Sequence, residues 1–207
     1  MKADSVMAQP LFAVFQNMIL KLIHPDASFR TNKTIINVDF RLASHILIAS
    51  FDVQQAQPSY VNPALSKQSS QWGLWDWDVV ELFLSVNDDP TYYEFQVSPL
   101  GQYFELEIFE PRLRFNKDFK SGFTVSVAPE SNDAPCWRAE MRIPLSALGW
   151  DRRLESIRGN AFAILGEGQA RTYWSAFLEP QKTPDFHLPR CFRTLLRFDG
   201  AHSTQPR

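Results

Sequence analysis

The clearest signal in the sequence is a segment, residues 78–86, whose side chains alternate between two faces. One face is an unbroken apolar row, typical of a strand packed on a core: Val80, Leu82, Leu84 and Val86. The other face contains a single carboxylate, Glu81, among mostly apolar neighbours. Three of the six tryptophans come just before it: Trp72, Trp75 and Trp77. The pattern predicts a buried strand that begins beside an aromatic cluster.

Two more alternating segments, residues 91–98 and 103–109, follow after short turns. The first turn, 87–90, has the sequence Asn-Asp-Asp-Pro, and the second, 99–102, has the sequence Pro-Leu-Gly-Gln. Both turns are rich in residues that favour tight connections. The three segments are therefore predicted to form an antiparallel meander with four-residue turns.

This meander predicts rows of polar side chains across one face of the sheet. The first turn places Glu81 opposite Gln96, with Glu94 in the next row. The second turn adds Glu105 opposite Gln96, and Glu107 follows in the next row. Opposed carboxylates repel one another unless a cation, a hydroxyl-rich ligand or a base lies between them. The face is therefore a candidate ligand site, although a solvated sheet face would carry the same residue types.

The rest of the chain also consists of short apolar segments separated by Gly and Pro. Further strands are predicted at residues 18–24, 34–42, 45–53, 123–128, 137–143, 161–165, 171–177 and 192–198. A basic and aromatic stretch at 111–120 is predicted as an edge strand or loop, a long polar loop at 54–70 and one helical turn at 144–150. Without a long helix or a repeat, the chain is predicted to be all-β, a single-domain antiparallel β-sandwich.

Three parts are predicted along the chain. Residues 1–33 are an N-terminal extension that can contain a first strand, residues 34–198 are the sandwich, and residues 199–207 are a frayed tail. The first 23 residues lack a clear signal-peptide cleavage site, so the sequence does not set the compartment.

Composition excludes some classes of partner. The formal net charge of −2 and the pI near 6.1 indicate no basic surface for nucleic acid. No apolar run is long enough to span a bilayer. The two cysteines, Cys136 and Cys191, are too few for a disulfide framework and can pair or stay reduced.

The aromatic cluster and the carboxylate after it suggest a class of ligand. A sugar ring has apolar CH faces and a rim of hydroxyl groups, so a flat aromatic beside a charged acceptor suits it. The competing interpretation is that the tryptophans only pack in the core, because large aromatics are highly buried on average.

Several motifs in chain order resemble the family 9 carbohydrate-binding modules. The signature Trp-x-x-Asp-x-Val-Glu-hydrophobic-Phe is matched by Trp75-Asp76-Trp77-Asp78-Val79-Val80-Glu81-Leu82-Phe83. Residues 93–101, 137–145 and 173–175 follow in the family's order, and then Pro184-Asp185-Phe186-His187-x-Pro189. That last segment is similar to the DOMON-like branch of the family. The resemblance covers roughly residues 35–198.

The resemblance implies a jelly-roll-like sandwich that binds sugar without catalysis, with no cofactor, and a periplasmic or extracellular location. Trp75 matches one aromatic of the family's sugar clamp and Phe186 falls at the second, where well-studied members have Trp. Glu81 matches a carboxylate that accepts sugar hydroxyl groups, and Gln96 stands where those members have Arg. The candidate ligand-binding residues are therefore Trp75, Glu81, Gln96, Phe186, Glu94, Glu105 and His187.

Other functions remain open at this stage. Paired carboxylates could serve glycoside hydrolysis: Glu81, Glu94, Glu105 and Glu107. DOMON relatives that hold haem use Met and His, but no such pair is evident here for Met141 and His187. Some family members carry calcium, whereas Asp88 and Asp89 are turn residues by default, so no metal site is predicted. Phe186 and Gln96, which depart from the family pattern, also allow an interaction domain that has lost sugar binding.

Overall fold

The computed structural model of the protein describes residues 18–26, 33–128, 136–149, 154–177 and 185–198. These residues contain twelve strands: β1 Met18–Leu22, β2 Ile35–Ala43, β3 Ile46–Gln54, β4 Val79–Val86, β5 Tyr92–Val97, β6 Tyr103–Glu110, β7 Arg114–Asn116, β8 Thr124–Ala128, β9 Cys136–Pro144, β10 Ser156–Leu165, β11 Thr172–Ser175 and β12 Arg193–Arg197. Short 3-10 turns connect some of them, including Leu74–Asp76 and Leu145–Leu148.

The strands form two antiparallel sheets. The five-stranded sheet has the order β1-β2-β3-β9-β8. The seven-stranded sheet has the order β11-β10-β4-β5-β6-β7, and β12 also pairs with β10. Apolar side chains from both sheets meet between them, including the predicted row of β4 that starts at Val80. The predicted all-β antiparallel sandwich is confirmed.

Most predicted strands lie within a residue or two of the observed ones. The predicted first strand corresponds to β1, which pairs with β2 and so belongs to the five-stranded sheet. The stretch 111–120 contributes β7, which is an edge strand. The predicted helical turn is the 3-10 turn Leu145–Leu148, ended by Gly149 at φ 82°. The predicted tail, 199–207, lies outside the described residues.

The first hairpin of the meander has the predicted register, whereas the second is displaced by one residue. Glu81 lies opposite Gln96 as predicted. In the second hairpin, Gln96 lies opposite Phe104 rather than Glu105. The prediction was wrong because Gln102 pairs with Ser98, whose N–H donates to the Gln102 carbonyl at 2.9 Å. This leaves a three-residue loop, 99–101, in which Gly101 adopts the left-handed φ of 81°.

The displacement exchanges the two faces of β6, because side chains alternate along a strand. Glu105 turns away from Glu81, and its carboxylate accepts hydrogen bonds from the backbone N–H and hydroxyl of Ser121 at 2.9 and 2.6 Å. Phe109, Glu107 and their neighbours line a different cavity. The face that carries Glu81 receives three apolar side chains of β6 instead: Phe104, Leu106 and Ile108.

A second apolar layer therefore covers the outer face of the seven-stranded sheet, the face turned away from the five-stranded sheet. It is built from Leu74, Val79, Phe83, Tyr92, Phe104, Leu106, Ile108, Phe162, Ile164 and Phe192. Two chain segments pack on this layer, the loop before β4 through Trp75 and the segment before β12 through Phe186. The sheet is thus buried on both faces, which explains why every residue of β4 is buried.

The long loop before β4 is held by buried hydrogen bonds. The Asp78 carboxylate accepts the backbone N–H groups of Tyr60 at 3.1 Å and Gly166 at 2.6 Å, and the Gln55 amide at 3.3 Å. The Gln102 amide donates to the Asn62 carbonyl at 2.7 Å. These bonds fix the loop against the sheet and so fix the position of the Trp75 turn.

Gly159 of β10 provides a test of the packing between strands. A Cβ atom at this position would lie 2.2 Å from the Phe83 carbonyl oxygen and 2.9 Å from Leu195 Cδ1. We expect Gly159→Ala to lower the free energy of unfolding by about 3 kcal/mol, because the Phe83 carbonyl belongs to a buried strand that must shift to make room. Gly122→Ala is the control, since its Cβ would meet open space at φ +73°. It should cost only about 1–2 kcal/mol. Urea unfolding of both variants checks this, and equal losses would contradict the packing.

Candidate functional site

A cavity of about 780 Å³ lies over the outer face of the seven-stranded sheet. Its lining includes six of the seven predicted ligand-binding residues: Trp75, Glu81, Glu94, Gln96, Phe186 and His187. Glu105 is not among the lining residues, because the register of β6 turns it to the opposite face. The volume is in the range of small-molecule sites. The cavity is therefore the candidate functional site.

Three polar side chains form the polar floor of the cavity: Glu81, Glu94 and Gln96. Each is almost fully buried, with 2%, 3% and 1% of its surface exposed. The Gln96 amide nitrogen donates to Glu94 Oε1 at 2.6 Å. Gln96 Oε1 is buried without a hydrogen-bond partner, and the Glu81 carboxyl makes no hydrogen bond to another described side chain or backbone group. The polar floor thus presents acceptors whose partners the described residues do not supply.

Burial changes the protonation of the two acids. Desolvation raises the pKa of Glu81 well above its ordinary value, and the nearby Glu94 raises it further, whereas Arg171 lowers it. Desolvation raises the pKa of Glu94 to about 7, although the hydrogen bond from Gln96 works in the other direction. Near neutral pH, Glu94 is therefore close to half ionised, and burial favours the protonated form of Glu81.

Trp75 forms one wall and is positioned by its own backbone. The 3-10 turn Leu74–Asp76 begins after Gly73, whose φ of 85° only glycine adopts easily. The Arg171 guanidinium donates to the Trp75 carbonyl, and to the Asp76 carbonyl at 3.0 Å. The indole packs edge-on against Phe104, with ring centroids 5.4 Å apart. The half-buried ring therefore has a fixed orientation at the cavity edge.

Phe186 forms part of another wall. Its ring stacks on Phe162 of β10, with centroids 4.2 Å apart and planes at 16°. The Tyr173 ring lies edge-on to it, with ring centroids 6.1 Å apart. Phe186 remains half-buried and lines the cavity. The predicted slot, in which Trp75 and Phe186 face each other, stays a prediction. Pro184, expected to stiffen this segment, lies outside the described residues.

His187 connects the cavity to two further polar residues, Tyr92 and Asp185. Its Nδ1 lies 2.8 Å from the Tyr92 hydroxyl, and its backbone N–H donates to Asp185. Burial, reinforced by the charge of Arg112, lowers the pKa of His187 to about 4. Burial together with Glu94 raises the pKa of Tyr92. Near neutral pH the imidazole is therefore uncharged and the phenol is protonated.

Among the lining side chains that sequence reasoning did not propose are Arg112, Arg171 and Tyr173. Arg171 and Tyr173 come from the β10–β11 hairpin, which was predicted only as a hairpin. Arg112 pairs with Asp185 through two hydrogen bonds of 3.2 and 2.7 Å. No local pattern points to Arg171, because its partner Trp75 is 96 positions away. The alternation of β11 could have indicated that Tyr173 faces the same side as Phe186.

The described part of the chain contains no arrangement of side chains that fits a metal site, a Met–His haem site or a disulfide. Within it, no group of three or more His, Cys, Asp or Glu side chains could hold a metal ion. Asp88 instead pairs with Arg158. Met141 is buried between the two sheets, whereas His187 lines the cavity on the outer face. Within the described residues, Cys136 and Cys191 form no disulfide.

A search of the described helices finds none long and apolar enough to cross a membrane.

Sequence comparison identifies relatives named UPF0462 protein C4orf33 homolog. One from Danio rerio is 29% identical over 143 residues, which are 65% of this chain and 68% of the relative. One from Rattus norvegicus is 31% identical over 134 residues, which are 59% of this chain and 63% of the relative. The chain thus spans about two thirds of the length of these relatives. No protein-family model matches the sequence.

Three solved structures have a similar fold. A proposed carbohydrate-binding protein from Bacteroides uniformis ATCC 8492 has a TM-score of 0.70 at 18% identity, covering 87% of this chain and 86% of that one. A carbohydrate-binding module of family 9 from Caldicellulosiruptor kristjanssonii, in complex with glucose, has a TM-score of 0.53 at 18% identity and 88% coverage of both chains. The same type of module with cellotriose has a TM-score of 0.50 at 17% identity, covering 80% and 75%. At these identities the likeness establishes the β-sandwich fold.

The raised pKa of Glu94 predicts a pH-dependent contribution to stability. An unfolded chain releases this proton near pH 4.5, whereas the folded protein retains it until about pH 7. The stability contributed by Glu94 is therefore complete below pH 4.5 and is lost as the pH rises to about 7, by about 3 kcal/mol. Relative to wild type, Glu94→Gln should become more stable over this range. Urea unfolding at several pH values measures the difference.

Subtracting the free energy of unfolding of wild type from that of Glu94→Gln at each pH removes the contribution of His187, which both proteins share. Its lowered pKa gives the opposite slope, a gain of stability as the pH rises from about 4 towards 6.5. Glu110→Gln, at an exposed position of β6, is the control and should show no such trend. A difference between wild type and Glu94→Gln that stays constant from pH 4.5 to 7 would contradict the buried, protonated acid.

Proposed function

We propose that the chain is a non-catalytic carbohydrate-binding domain of the family 9 type, similar to its DOMON-like branch. A sugar ring lies between Trp75 and Phe186, and its hydroxyl groups donate to Glu81 and Gln96. The observation that carries this proposal is the polar floor at the base of an aromatic-walled cavity, where Gln96 Oε1 is buried without a partner and the Glu81 carboxyl makes no hydrogen bond to another described group. A purely structural polar row would be expected to find its partners within the protein.

The chemistry of the lining fits the two surfaces of a pyranose ring. Aromatic rings cover the apolar CH face of a sugar, while its hydroxyl groups need acceptors and donors at the edge. Gln96 Oε1 and the Glu81 carboxyl supply acceptors. The Arg171 Nε–H group, also buried without a partner, supplies a donor. Such a site favours a neutral or positively charged ligand over an anion, because the acids dominate its floor.

The solved structures support this proposal at the level of the ligand class. The two Caldicellulosiruptor modules hold glucose and cellotriose, and their fold extends over most of this chain. The departures from the family pattern lie at Phe186 and Gln96. Phe186 offers less stacking area than Trp, but Phe162 stacks behind it and stiffens it. The missing Arg leaves position 96 neutral, while Arg171 brings a positive charge from the connection between β10 and β11.

The arrangement of acids favours binding over hydrolysis. Glu105 and Glu107 were candidate acids, but β6 turns both away from the cavity. Glu81 and Glu94 remain, and both belong to the polar floor on adjacent strands. Glycosidases place one acid and one ionised carboxylate on either side of the scissile bond. Here burial raises the pKa of both acids, so neither is the strongly ionised partner.

Calorimetric titration with glucose and cellotriose tests the sugar clamp. We expect Trp75→Ala and Phe186→Ala each to weaken binding by about tenfold or more, because each removes an aromatic contact with the ring. The melting temperature should fall by only a few degrees, roughly the effect of 1 kcal/mol. Trp77→Phe is the matched control, since Trp77 packs on Tyr60 at 4.6 Å and does not line the cavity. Unchanged binding with lost stability would make both rings structural and favour an interaction domain.

The absence of catalysis has a separate test. Wild-type protein incubated with cellotriose for a day at pH 5 and pH 7 should leave the anomeric proton signals of the trisaccharide unchanged. Glu94 is mostly protonated at pH 5 and close to half ionised at pH 7. Glucose or cellobiose appearing in the sample with wild type, but not with Glu81→Gln, would show hydrolysis and overturn the non-catalytic assignment.

A further inference from the structure

We propose that the cavity selects a sugar that carries a protonated amine, an amino sugar, over the matching neutral sugar. This inference rests on the proposed sugar-binding function and names the ligand class of the same site. It concerns the polar floor, Glu81, Glu94 and Gln96, and the charges around it.

Once its two acids are ionised, the polar floor offers only acceptors to a ligand. The amide nitrogen of Gln96 is already used by Glu94 Oε1. Gln96 Oε1 has no partner, and Glu81 makes no hydrogen bond within the described part of the chain. A hydroxyl group of a neutral sugar donates one hydrogen bond, whereas an ammonium group donates three and accepts none. The ammonium group is thus the better complement to several converging acceptors.

The positively charged groups near the polar floor make their hydrogen bonds and ion pairs with other parts of the protein, although Arg171 Nε–H has no partner. The Arg171 guanidinium is held by the carbonyl oxygens of Trp75 and Asp76. Arg112 forms its ion pair with Asp185 at 2.7 Å. Among the described residues, no Lys, Arg or His lies within 4.0 Å of either floor carboxylate in an ion pair. The two acids are therefore buried without a paired cation.

Burial of an unpaired carboxylate is costly, so it raises the pKa of both acids of the polar floor. The pKa of Glu94, raised to about 7, is the consequence. An ammonium group in the cavity would reverse this, because a paired cation favours the ionised carboxylate. The gain belongs to the charged ligand alone, since a neutral sugar leaves the acids without a counter-charge. Charge-assisted hydrogen bonds are also about twice as strong as neutral ones.

Other charged groups around the polar floor do not cancel this preference. Arg171 lowers the pKa of Glu81, but burial and Glu94 outweigh it. His187 is uncharged near neutral pH because its pKa is lowered to about 4. Asp76 also lines the cavity and adds to the negative potential that an amine would meet.

The test is calorimetric titration of the whole chain with three matched series of sugars at pH 7. The series have gluco, galacto and manno configuration, and each contains the hexose, the 2-amino sugar and its N-acetyl form. We expect the 2-amino sugar of the best-binding series to bind at least about tenfold more tightly than both neutral forms. The N-acetyl form is the control for size, because it keeps the nitrogen but removes its charge.

Proton release gives a second readout. Titrations in two buffers of different ionisation enthalpy should show that the protein releases up to about half a proton when the amino sugar binds, because Glu94 is close to half protonated at pH 7 and the ammonium group lowers its pKa. In Glu94→Gln the ratio of amino-sugar to neutral-sugar affinity should fall towards one. Glu81→Gln should lower this ratio as well, and it serves as the second variant if Glu94→Gln does not fold. Glu110→Gln, an exposed acid outside the cavity, should keep the wild-type ratio.

The outcomes separate this inference from the proposed function. Neutral sugars that bind as tightly as the amino sugars would overturn the amine preference and leave sugar binding standing. No binding by any member of the three series, with cellotriose also failing, would overturn both.

Discussion

The feature on which the site depends is a row of buried polar side chains on a sheet face that is otherwise apolar. Glu81, Glu94 and Gln96 alternate on β4 and β5 with residues that face the core between the sheets. Apolar side chains of the second layer surround them on the outer face of the sheet. Buried acceptors without partners destabilise a protein, so the apolar surface buried around them must offset their desolvation. The fold thus carries a local cost that only a bound ligand or water can relieve.

The surroundings of this row are held rigidly, which is what a binding site requires of its scaffold. Asp78 fixes the loop before β4 with three hydrogen bonds, and one of them comes from Gly166 after β10. Arg171 then holds the Trp75 turn from the same hairpin. A wall fixed before binding loses little conformational entropy when the ligand arrives. The affinity of a small site can therefore come from few contacts.

Local patterns in the sequence were sufficient for the fold and for one side of the site. The alternation of β4 and its turn placed Glu81 opposite Gln96, because the hairpin is short and its register follows from the turn. The same reasoning failed one strand later. Composition placed Gln102 in the predicted turn. Its backbone instead pairs with Ser98, which moves Glu105 to the other face of the sheet. A single residue of loop length decides between two opposite surfaces.

The other side of the site depends on contacts between distant parts of the chain. Arg171 donates a hydrogen bond to Trp75, which lies 96 positions earlier in the chain. Phe186, in the segment before β12, stacks on Phe162 of β10. The periodicity of side chains within one segment cannot predict contacts between residues so far apart in the sequence. The resemblance to a family supplied Phe186 and His187, since motif order carries information about tertiary position that local physics lacks. Arg171 has no counterpart in those motifs and became visible only in the folded chain.

These two halves of the site have different physical roles. The aromatic walls recognise a flat apolar face, which nearly all pyranoses present, and Phe186 offers less of it than a tryptophan would. The polar floor recognises the pattern of donors and the charge, which differ from one sugar to another. Discrimination is strongest where a wrong ligand leaves a buried polar group unpaired. In this protein, therefore, selectivity belongs to Glu81, Glu94 and Gln96, while the aromatic rings set the general class of ligand.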